Sequence, residues 1–343
     1  MTDLPAPHAR PDEDLVRSVR STLLETLAQV LDGATHVALV DFPYHRNAGD
    51  AAIWAGERAA LDALGVTVSY VADAGRYDPR RLREALPEGP VLLHGGGSVG
   101  DLWPWPQALR EQLLGDLPDR HVVQLPQSVH FDDQDLREQF ARVVAGHGRY
   151  TFMARDEASA DRATALRPDA VVLAPDMAFG LGPLTRTRPA SVDVLALARD
   201  DMEGVSGLRE GAVGRALVVD WSLGRVGDLR WQAVRMVPRL ARPLQRDART
   251  ATLVAPMTAA ALEAMCRQVL GQGVGLLSTA RVVVTDRLHA HLLCCLLGIP
   301  HVVLDNSYGK ISALHRLWTS SSETTHWAED PDQALDLART LLG

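Results

Sequence analysis

The feature that most constrains the fold is an alternation between short apolar runs, rich in β-branched residues, and longer stretches with helical periodicity. The short runs occur at residues 36–40, 66–71, 91–94, 121–125, 150–153 and 170–173, and again at 192–198, 216–219, 251–254, 282–285 and 301–304. Strands that alternate with helices over short links form parallel sheets covered by helices on both faces. The sequence therefore predicts an α/β fold.

A stretch rich in proline and glycine interrupts this alternation and marks the expected domain boundary. Its breaking residues are Pro175, Gly180, Gly182, Pro183 and Pro189. A length of 343 residues also favours two domains. We expect an N-terminal leader and helix at 1–32 and two doubly wound, Rossmann-like domains at 33–180 and 190–343, facing a cleft between them.

Composition limits the partners that the chain can take. The 43 acidic residues exceed the 35 lysines and arginines, for a net charge of −8, which argues against a nucleic-acid partner. No apolar run is long enough to span a membrane, and the first residues lack a signal-peptide core, so a cytoplasmic location is expected. Peripheral association with a membrane and assembly into a homo-oligomer stay open.

The cysteines favour a reducing compartment and no metal centre. Cys266, Cys294 and Cys295 have no spacing typical of metal ligands, and the adjacent pair lies in an apolar run. We therefore interpret that pair as buried thiols of the core. No metal and no cofactor are expected, because no other cluster of ligand-type residues requires one, although the acidic pair Asp200 and Asp201 leaves a metal open.

The first polar motif, His-Arg-Asn-Ala-Gly-Asp at 45–50, follows the first predicted strand. Open α/β sheets bind ligands at such strand-to-helix turns. Asn47 and Gly49 tolerate a positive φ, and the backbone amides at the start of the following helix can face an anion. The alternative is a structural turn in which Asp50 is the helix N-cap.

The second motif, His-Gly-Gly-Gly-Ser-Val-Gly-Asp at 94–101, follows the third predicted strand and is interpreted as a loop. It contains G-x-G-x-x-G, but no helix opens inside the glycines, so dinucleotide binding is not favoured. Asp101 would lie near Asp50 at one edge of the sheet. Trp103 either stacks on a sugar ring or covers the core.

The third motif, Thr-Asp-Arg-Leu-His-Ala-His at 285–291, is the most specific. The guanidinium of Arg287 can bind a carboxylate or phosphate in a bidentate manner, and His289 can move a proton near neutral pH. The alternative is a structural turn in which Asp286 caps the helix and pairs with the arginine. His289 and His291 are too close together to form a zinc site.

Further basic residues follow other predicted strands. Arg199 follows 192–198, and Lys310 follows 301–304, so these two side chains and Arg287 are expected at one edge. Three cations in an acidic chain indicate a substrate with two anionic groups. Arg155 also ends a strand, but we expect it to pair with Asp156 or to cap a helix.

Together, the motifs at 47–50, 94–101, 285–289 and 305–310 resemble those of the polysaccharide pyruvyl transferase family. The resemblance implies a GT-B-like fold. It also implies transfer of a pyruvyl group from phosphoenolpyruvate onto two hydroxyls of a sugar, forming a cyclic ketal and releasing phosphate. One departure is Ser98, which stands where the family would have an asparagine.

The resemblance also suggests roles for these residues. The second domain would hold phosphoenolpyruvate, with His289 as the general acid and Asp50 or Asp101 as the base. The donor-binding residues would be Arg287, Leu288, His289, Arg199 and Lys310. The first domain would bind the acceptor, a sugar, oligosaccharide or lipid-linked glycan, through Asn47, Gly49, His94, Gly96, Gly97, Ser98 and Trp103.

Two other functions fit the same sequence. A GT-B glycosyltransferase with a nucleotide-sugar donor would use the same cleft, but only Glu263 and Asp286 could bind its ribose. A glycan-binding protein descended from such an enzyme is the alternative without catalysis, although the retained cationic residues argue against it.

Overall fold

The computed structural model describes residues 11–198, 207–221, 224–244, 248–305 and 309–343. The chain divides into two compact units. We call Thr22–Leu181 with Ser222–Gln272 the N-terminal unit, and Met1–Ser21 with Gly182–Trp221 and Gly273–Gly343 the C-terminal unit. Residues 222–272, which the sequence prediction grouped with the second domain, thus cluster with the first sheet.

The N-terminal unit is built on a parallel seven-stranded sheet. Its strands are β1 (His36–Val40), β2 (Thr67–Ala72), β3 (Val91–Leu93), β4 (Gly96–Gly100), β5 (Val122–His130), β6 (Tyr150–Ala154) and β7 (Ala170–Leu173). The order is β2-β1-β3-β5-β6-β7, and β4 pairs with the second half of β5. Almost every residue of β5 is buried, as expected for a strand covered on both faces.

Helices cover this sheet in the alternation that the sequence predicts. They are α1 (Glu13–Leu31, which begins in the C-terminal unit), α2 (Ala48–Ala63), α3 (Pro79–Ala85), α4 (Pro104–Asp116), α5 (Gln134–His147) and α6 (Glu157–Thr164), followed by a 3-10 turn at Met177–Leu181. The core between sheet and helices is aliphatic and aromatic, with Phe140, Tyr150 and Phe152 fully buried.

The C-terminal unit contains a second parallel sheet, with five strands. They are β8 (Val192–Leu197), β9 (Leu217–Val219), β10 (Ala280–Thr285), β11 (His301–Val303) and β12 (Thr325–Trp327), in the order β12-β11-β10-β8-β9. The helices are α7 (Leu208–Ala212), α10 (Leu288–Leu297), α11 (Lys310–Leu314) and α12 (Pro331–Thr340), with a π turn at His315–Thr319.

Two long helices lie between β9 and β10 in the sequence, and one of them shows that a strand prediction was wrong. They are α8 (Gly224–Leu244) and α9 (Ala248–Ser278, which ends in the C-terminal unit). The run at 251–254, predicted as a strand, is the start of α9. A short apolar run does not distinguish a strand from a helix, and here helix-forming residues continue far beyond it.

The glycine segment is also different from the prediction, because residues 96–100 form β4 rather than a loop. β3 and β4 both run parallel to β5 and are separated by a break at His94 and Gly95. Gly100 has φ of 136°, and a Cβ there would lie 1.6 Å from the carbonyl oxygen of His130. This glycine is therefore required by close packing of two strands.

In both sheets the strand order reverses at the strands that carry the motifs. In the first sheet, β1 lies between β2 and β3, and in the second sheet β8 lies between β9 and β10. Ligands of doubly wound sheets bind outside the carboxyl ends of the strands at this switch point. The motifs at 45–50 and 94–101 follow β1 and β3, and the motif at 285–291 follows β10.

Among the described residues, no helix combines the length and apolar character that crossing a membrane would require.

Replacing Gly100 by alanine should destabilise the chain by about 3 kcal/mol or more, because the new methyl group meets backbone and φ is positive. Gly115→Ala is the matched control, since a Cβ at this exposed position of α4 has no heavy atom within 4 Å. Thermal unfolding of both variants measures the difference. Equal melting temperatures would contradict the close packing of β4 on β5.

Candidate functional site

The turn after β1 leads into α2 through an asparagine cap. The Oδ1 atom of Asn47 accepts a hydrogen bond from the backbone N–H of Gly49, at 2.8 Å. The N-cap is therefore Asn47, whereas the structural alternative in the sequence analysis had placed Asp50 there. The carboxylate of Asp50 lies in the first turn of α2, with Oδ2 at 3.4 Å from Nε2 of His45.

The break between β3 and β4 holds a buried histidine–carboxylate pair. Nδ1 of His94 lies 2.9 and 3.0 Å from the two carboxylate oxygens of Glu57, which is fully buried on α2. The same carboxylate accepts a hydrogen bond from the backbone N–H of Gly95, at 2.8 Å. Nε2 of His94 is buried and has no hydrogen-bond partner among the described residues.

Opposing effects set the protonation of this pair. Burial lowers the pKa of His94, but the neighbouring carboxylates of Glu57, Asp41 and Asp50 raise it, to a net value of about 8. Burial also raises the pKa of Glu57, and the adjacent imidazole opposes that shift. At neutral pH, His94 can therefore present a proton on Nε2, because Nδ1 is engaged with Glu57.

The predicted acceptor residues Gly96, Gly97 and Ser98 lie along β4, at the same sheet edge as His94. Ser98 donates its backbone N–H to Oε1 of Gln127 at 2.9 Å, and its hydroxyl lies within 3.3 Å of Nη2 of Arg110. A Cβ on Gly96 would lie 3.9 Å from Oδ1 of Asp50, so the start of β4 and the first turn of α2 adjoin each other.

Arg155 also belongs to this edge, with a partner different from the predicted one. Its Nη1 is 2.7 Å from Oδ2 of the buried Asp176, and its Nε donates to the hydroxyl of Ser128. Asp156, the predicted partner, instead caps α6. A Cβ on Gly97 would lie 3.1 Å from the arginine Nη2, so the guanidinium packs directly under β4.

Asp101 and Trp103 lie beyond the end of β4. One oxygen of Asp101 accepts the backbone N–H groups of Asp132 and Asp133, at 2.7 and 2.6 Å. This carboxylate thus holds the turn that precedes α5. Trp103 precedes α4 with its indole half exposed, a position from which it can contact a ligand.

In the C-terminal unit, Arg287 lies at the end of β10 and starts α10. Its backbone N–H donates to the hydroxyl of Thr285, and that hydroxyl donates to the carbonyl of Leu197 at the end of β8. Its guanidinium forms an ion pair with Asp220, with 2.6 Å from Nη2 to the carboxylate. The counter-ion seen here, Asp220, lies far along the chain and differs from Asp286, the partner in the structural alternative.

The other residues predicted to bind the donor substrate also lie at this carboxyl edge, as far as the structure describes them. Leu288 is the first residue of α10, and the half-buried His289 follows it. Lys310 starts α11, after β11, the strand adjacent to β10. Arg199, the third predicted cation, lies outside the described residues.

His291 does not belong to the site, because it points into the core. Its Nδ1 is 2.8 Å from Nε2 of His301, and its Nε2 is 2.9 Å from the hydroxyl of Thr319. Burial lowers the pKa of His291 and that of His301, the latter to about 4, so both imidazoles are neutral. Cys295 adjoins them, and all three cysteines of the chain are buried thiols.

Comparison with known proteins identifies the family to which the chain belongs. The sequence profile described as polysaccharide pyruvyl transferase matches residues 47–308, which include the predicted site residues except Lys310. The chain belongs to the polysaccharide pyruvyl transferase family. Pyruvyl transferase 1 of Schizosaccharomyces pombe is 36% identical over 310 residues, covering 83% of this chain and 70% of the relative. The family resemblance inferred from the motifs is thereby confirmed, and membership implies a transferase that modifies a glycan.

Other relatives agree with this family and with its α/β fold. EpsO of Bacillus subtilis is 28% identical over 307 residues, covering 88% of this chain and 91% of EpsO. A solved structure of a functionally uncharacterised protein from Klebsiella pneumoniae has a TM-score of 0.56 and 18% identity, and covers 91% of this chain and 98% of that one. The latter likeness concerns the fold alone.

The sequence analysis did not identify the acidic residues that pair with the candidate site residues of this chain. Glu57, Asp176 and Asp220 are each far along the chain from the histidine or arginine that they contact. Glu57 alone had a local indication, because it lies on the apolar face of α2, beside Ile53 and Trp54. An acidic residue in such a stripe indicates a buried partner.

Replacing Glu57 by glutamine should lower the pKa of His94 from about 8 to below its ordinary value of 6.5, because burial then outweighs the remaining carboxylates. NMR titration of the imidazole Cε1–H measures this, with the resonance assigned by its loss in His94→Asn. Glu263→Gln is the matched control, since this carboxylate pairs with Trp54 and Arg58 instead. A pKa for His94 that is unaffected by Glu57→Gln would refute the electrostatic role of the carboxylate.

Proposed function

We propose that the protein transfers a pyruvyl group from phosphoenolpyruvate to two hydroxyls of a sugar in a glycan or glycan precursor, with release of phosphate. The observation that carries this proposal is the family match over residues 47–308, which spans both switch-point edges. The reaction requires the two edges to meet around the substrates, so we also propose two doubly wound domains that face a common cleft, as in GT-B enzymes.

Basic residues support the C-terminal edge as the donor side. Phosphoenolpyruvate carries a carboxylate and a phosphate, and Arg287 and Lys310 belong to adjacent strand ends of an otherwise acidic chain. The guanidinium of Arg287 is already oriented by its ion pair with Asp220. An oriented guanidinium can bind a carboxylate or phosphate with little loss of side-chain entropy. Arg199 is proposed as a further cation of this side.

The proposed chemistry needs an acid at the donor and a base at the acceptor. His289 protonates C3 of phosphoenolpyruvate, which makes C2 electrophilic, and the first sugar hydroxyl adds to C2. The bond from C2 to the phosphate oxygen then breaks, and the second hydroxyl closes the ketal. One hydroxyl proton replaces the proton given to C3, and the other leaves with phosphate.

The acceptor side is proposed at the edge formed by α2, β3 and β4. Asp50 is preferred to Asp101 as the base, because both predicted carboxylates reach this edge but Asp101 already accepts two backbone N–H groups. The buried Nε2 of His94 is a hydrogen-bond donor for a sugar oxygen, and Trp103 offers a ring for stacking. Asn47, Gly49, Gly96, Gly97 and Ser98 shape the surface around them.

Replacing Arg287 by alanine should weaken binding of phosphoenolpyruvate about a hundredfold, because the anion loses the guanidinium and meets the unneutralised carboxylate of Asp220. Calorimetric titration of the parent and the variant measures this, with UDP as a second ligand. Arg281→Ala is the matched control, an exposed arginine on the same strand. Binding of UDP without any binding of phosphoenolpyruvate would instead favour a nucleotide-sugar glycosyltransferase.

Replacing His289 by alanine should reduce turnover by about 10²–10⁴-fold while phosphoenolpyruvate still binds, because only the proton donor is lost. The measurement is phosphate release in the presence of a panel of sugar acceptors. His326→Ala, a half-buried histidine on β12, is the control. Unimpaired phosphate release by the His289 variant would exclude this imidazole as the acid.

A further inference from the structure

Helix α8 carries an apolar stripe on its solvent side, which the proposed reaction does not explain. Leu229 is 72% exposed and Leu240 is 68% exposed, and Met236 and Leu244 are exposed as well. These residues are seven, four and four positions apart, so they lie on one face of the helix. The opposite face, with Trp231, Pro238 and Ala241, is the buried one. Since α8 already packs through that face, its exposed stripe has no role in the core.

The first turns of α9 also carry exposed apolar side chains. Leu253 is 79% exposed, and Pro256 and Met257 are exposed at helical spacing from it. The two helices form a hairpin: Gln268 of α9 donates to the carbonyl of Gly227 near the start of α8, at 2.7 Å. At the other end, the hydroxyl of Thr250 donates to the carbonyl of Leu244. The stripe and these turns are together called the α8–α9 face.

Arginines flank the apolar stripe. Arg230 lies on one side of it and Arg239 lies on the other, and both are exposed. The sequence of α8 contains five arginines and one acidic residue, Asp228, in a chain with a net charge of −8. Asp228 is itself paired with Arg46, at 2.5 Å. The α8–α9 face is thus a local basic and apolar surface on an acidic protein.

We propose that the α8–α9 face is a docking surface for an anionic lipid bilayer. Exposed leucine and methionine side chains enter the boundary between headgroups and acyl chains, and arginines beside them bind lipid phosphates. An apolar patch of this kind is costly in water, and its arginine border distinguishes it from the apolar interface typical of a permanent dimer. The surface lies on the bilayer and does not span it.

The inner face of α8 connects this surface to the acceptor side. The hydroxyl of Tyr44 donates to the carbonyl of Arg235 at 3.4 Å, and its ring centroid is 6.2 Å from that of Trp231. Tyr44 immediately precedes the motif at 45–50. A docked bilayer would therefore lie close to the acceptor edge of the same unit, which favours a lipid-linked glycan as acceptor. This choice of acceptor rests on the proposed function, whereas bilayer docking does not.

Vesicle flotation tests the docking without donor or acceptor. We expect the full chain to float with vesicles of phosphatidylcholine containing about one third phosphatidylglycerol, and much less with phosphatidylcholine alone. Leu229→Asp combined with Leu240→Asp should abolish binding. Arg230→Glu combined with Arg239→Glu should weaken it on the order of tenfold or more, since each basic residue contributes about fivefold. Added salt should weaken binding of the parent.

The matched controls lie on α5, where Leu136 and Arg137 are exposed next to each other. Leu136→Asp and Arg137→Glu should float like the parent, and thermal unfolding shows whether each variant is folded. Absence of flotation with anionic vesicles, or equal flotation of the α8 variants and the controls, would overturn the proposal. So would a dimer in sedimentation velocity that the leucine variants dissociate, because the face would then bind a second copy. None of these outcomes depends on phosphoenolpyruvate.

Discussion

The constraint on which the candidate edge of the N-terminal unit depends is the break between β3 and β4. At this break the backbone of His94 and Gly95 cannot continue a regular ladder, yet it is buried, so each polar group needs another partner. Glu57 supplies one for the Gly95 N–H, and the side-chain amides of Gln124 and Gln127 supply others for the His94 carbonyl. The carboxylate that completes the backbone also raises the pKa of His94. The buried Glu57 carboxylate therefore both stabilises the backbone at the break and sets the protonation of His94.

The two candidate edges satisfy their polar groups differently. Around His94, buried glutamine amides donate hydrogen bonds to the backbone carbonyl, and the buried Glu57 carboxylate accepts one from the imidazole. At the end of β10, Arg287 is held by one ion pair with Asp220, and that carboxylate is partly exposed. An ion pair of this kind can exchange one carboxylate for another at little cost, because an incoming anion replaces the lost charge. The first arrangement suits a neutral polyhydroxyl ligand and the second suits an anion.

The sequence predicted the alternation of strands and helices and the position of each motif relative to a strand end, because both follow from local periodicity. It did not predict that 251–254 is helical, since a run of four residues with three apolar ones fits either structure and the surrounding 31-residue helix decides. Nor did it predict β4, in which Gly100 allows the backbone to pack closely against His130. Pairing partners such as Asp176 for Arg155 depend on tertiary contacts that no local pattern encodes. The family resemblance suggested candidate site residues, but not the counter-ions that contact them.

Helix α8 shows why the two faces of one element need separate explanations. Its inner face follows ordinary packing: Trp231 is buried, and Tyr44 and Arg46 pack against it. Its outer leucines contribute nothing to that packing, and water alone would favour polar residues at those positions. Their regular spacing and the arginines beside them therefore indicate a surface that is covered in use. Because the inner face contacts the turn before Asn47, whatever covers the outer face lies one helix diameter, about 10 Å, from that turn.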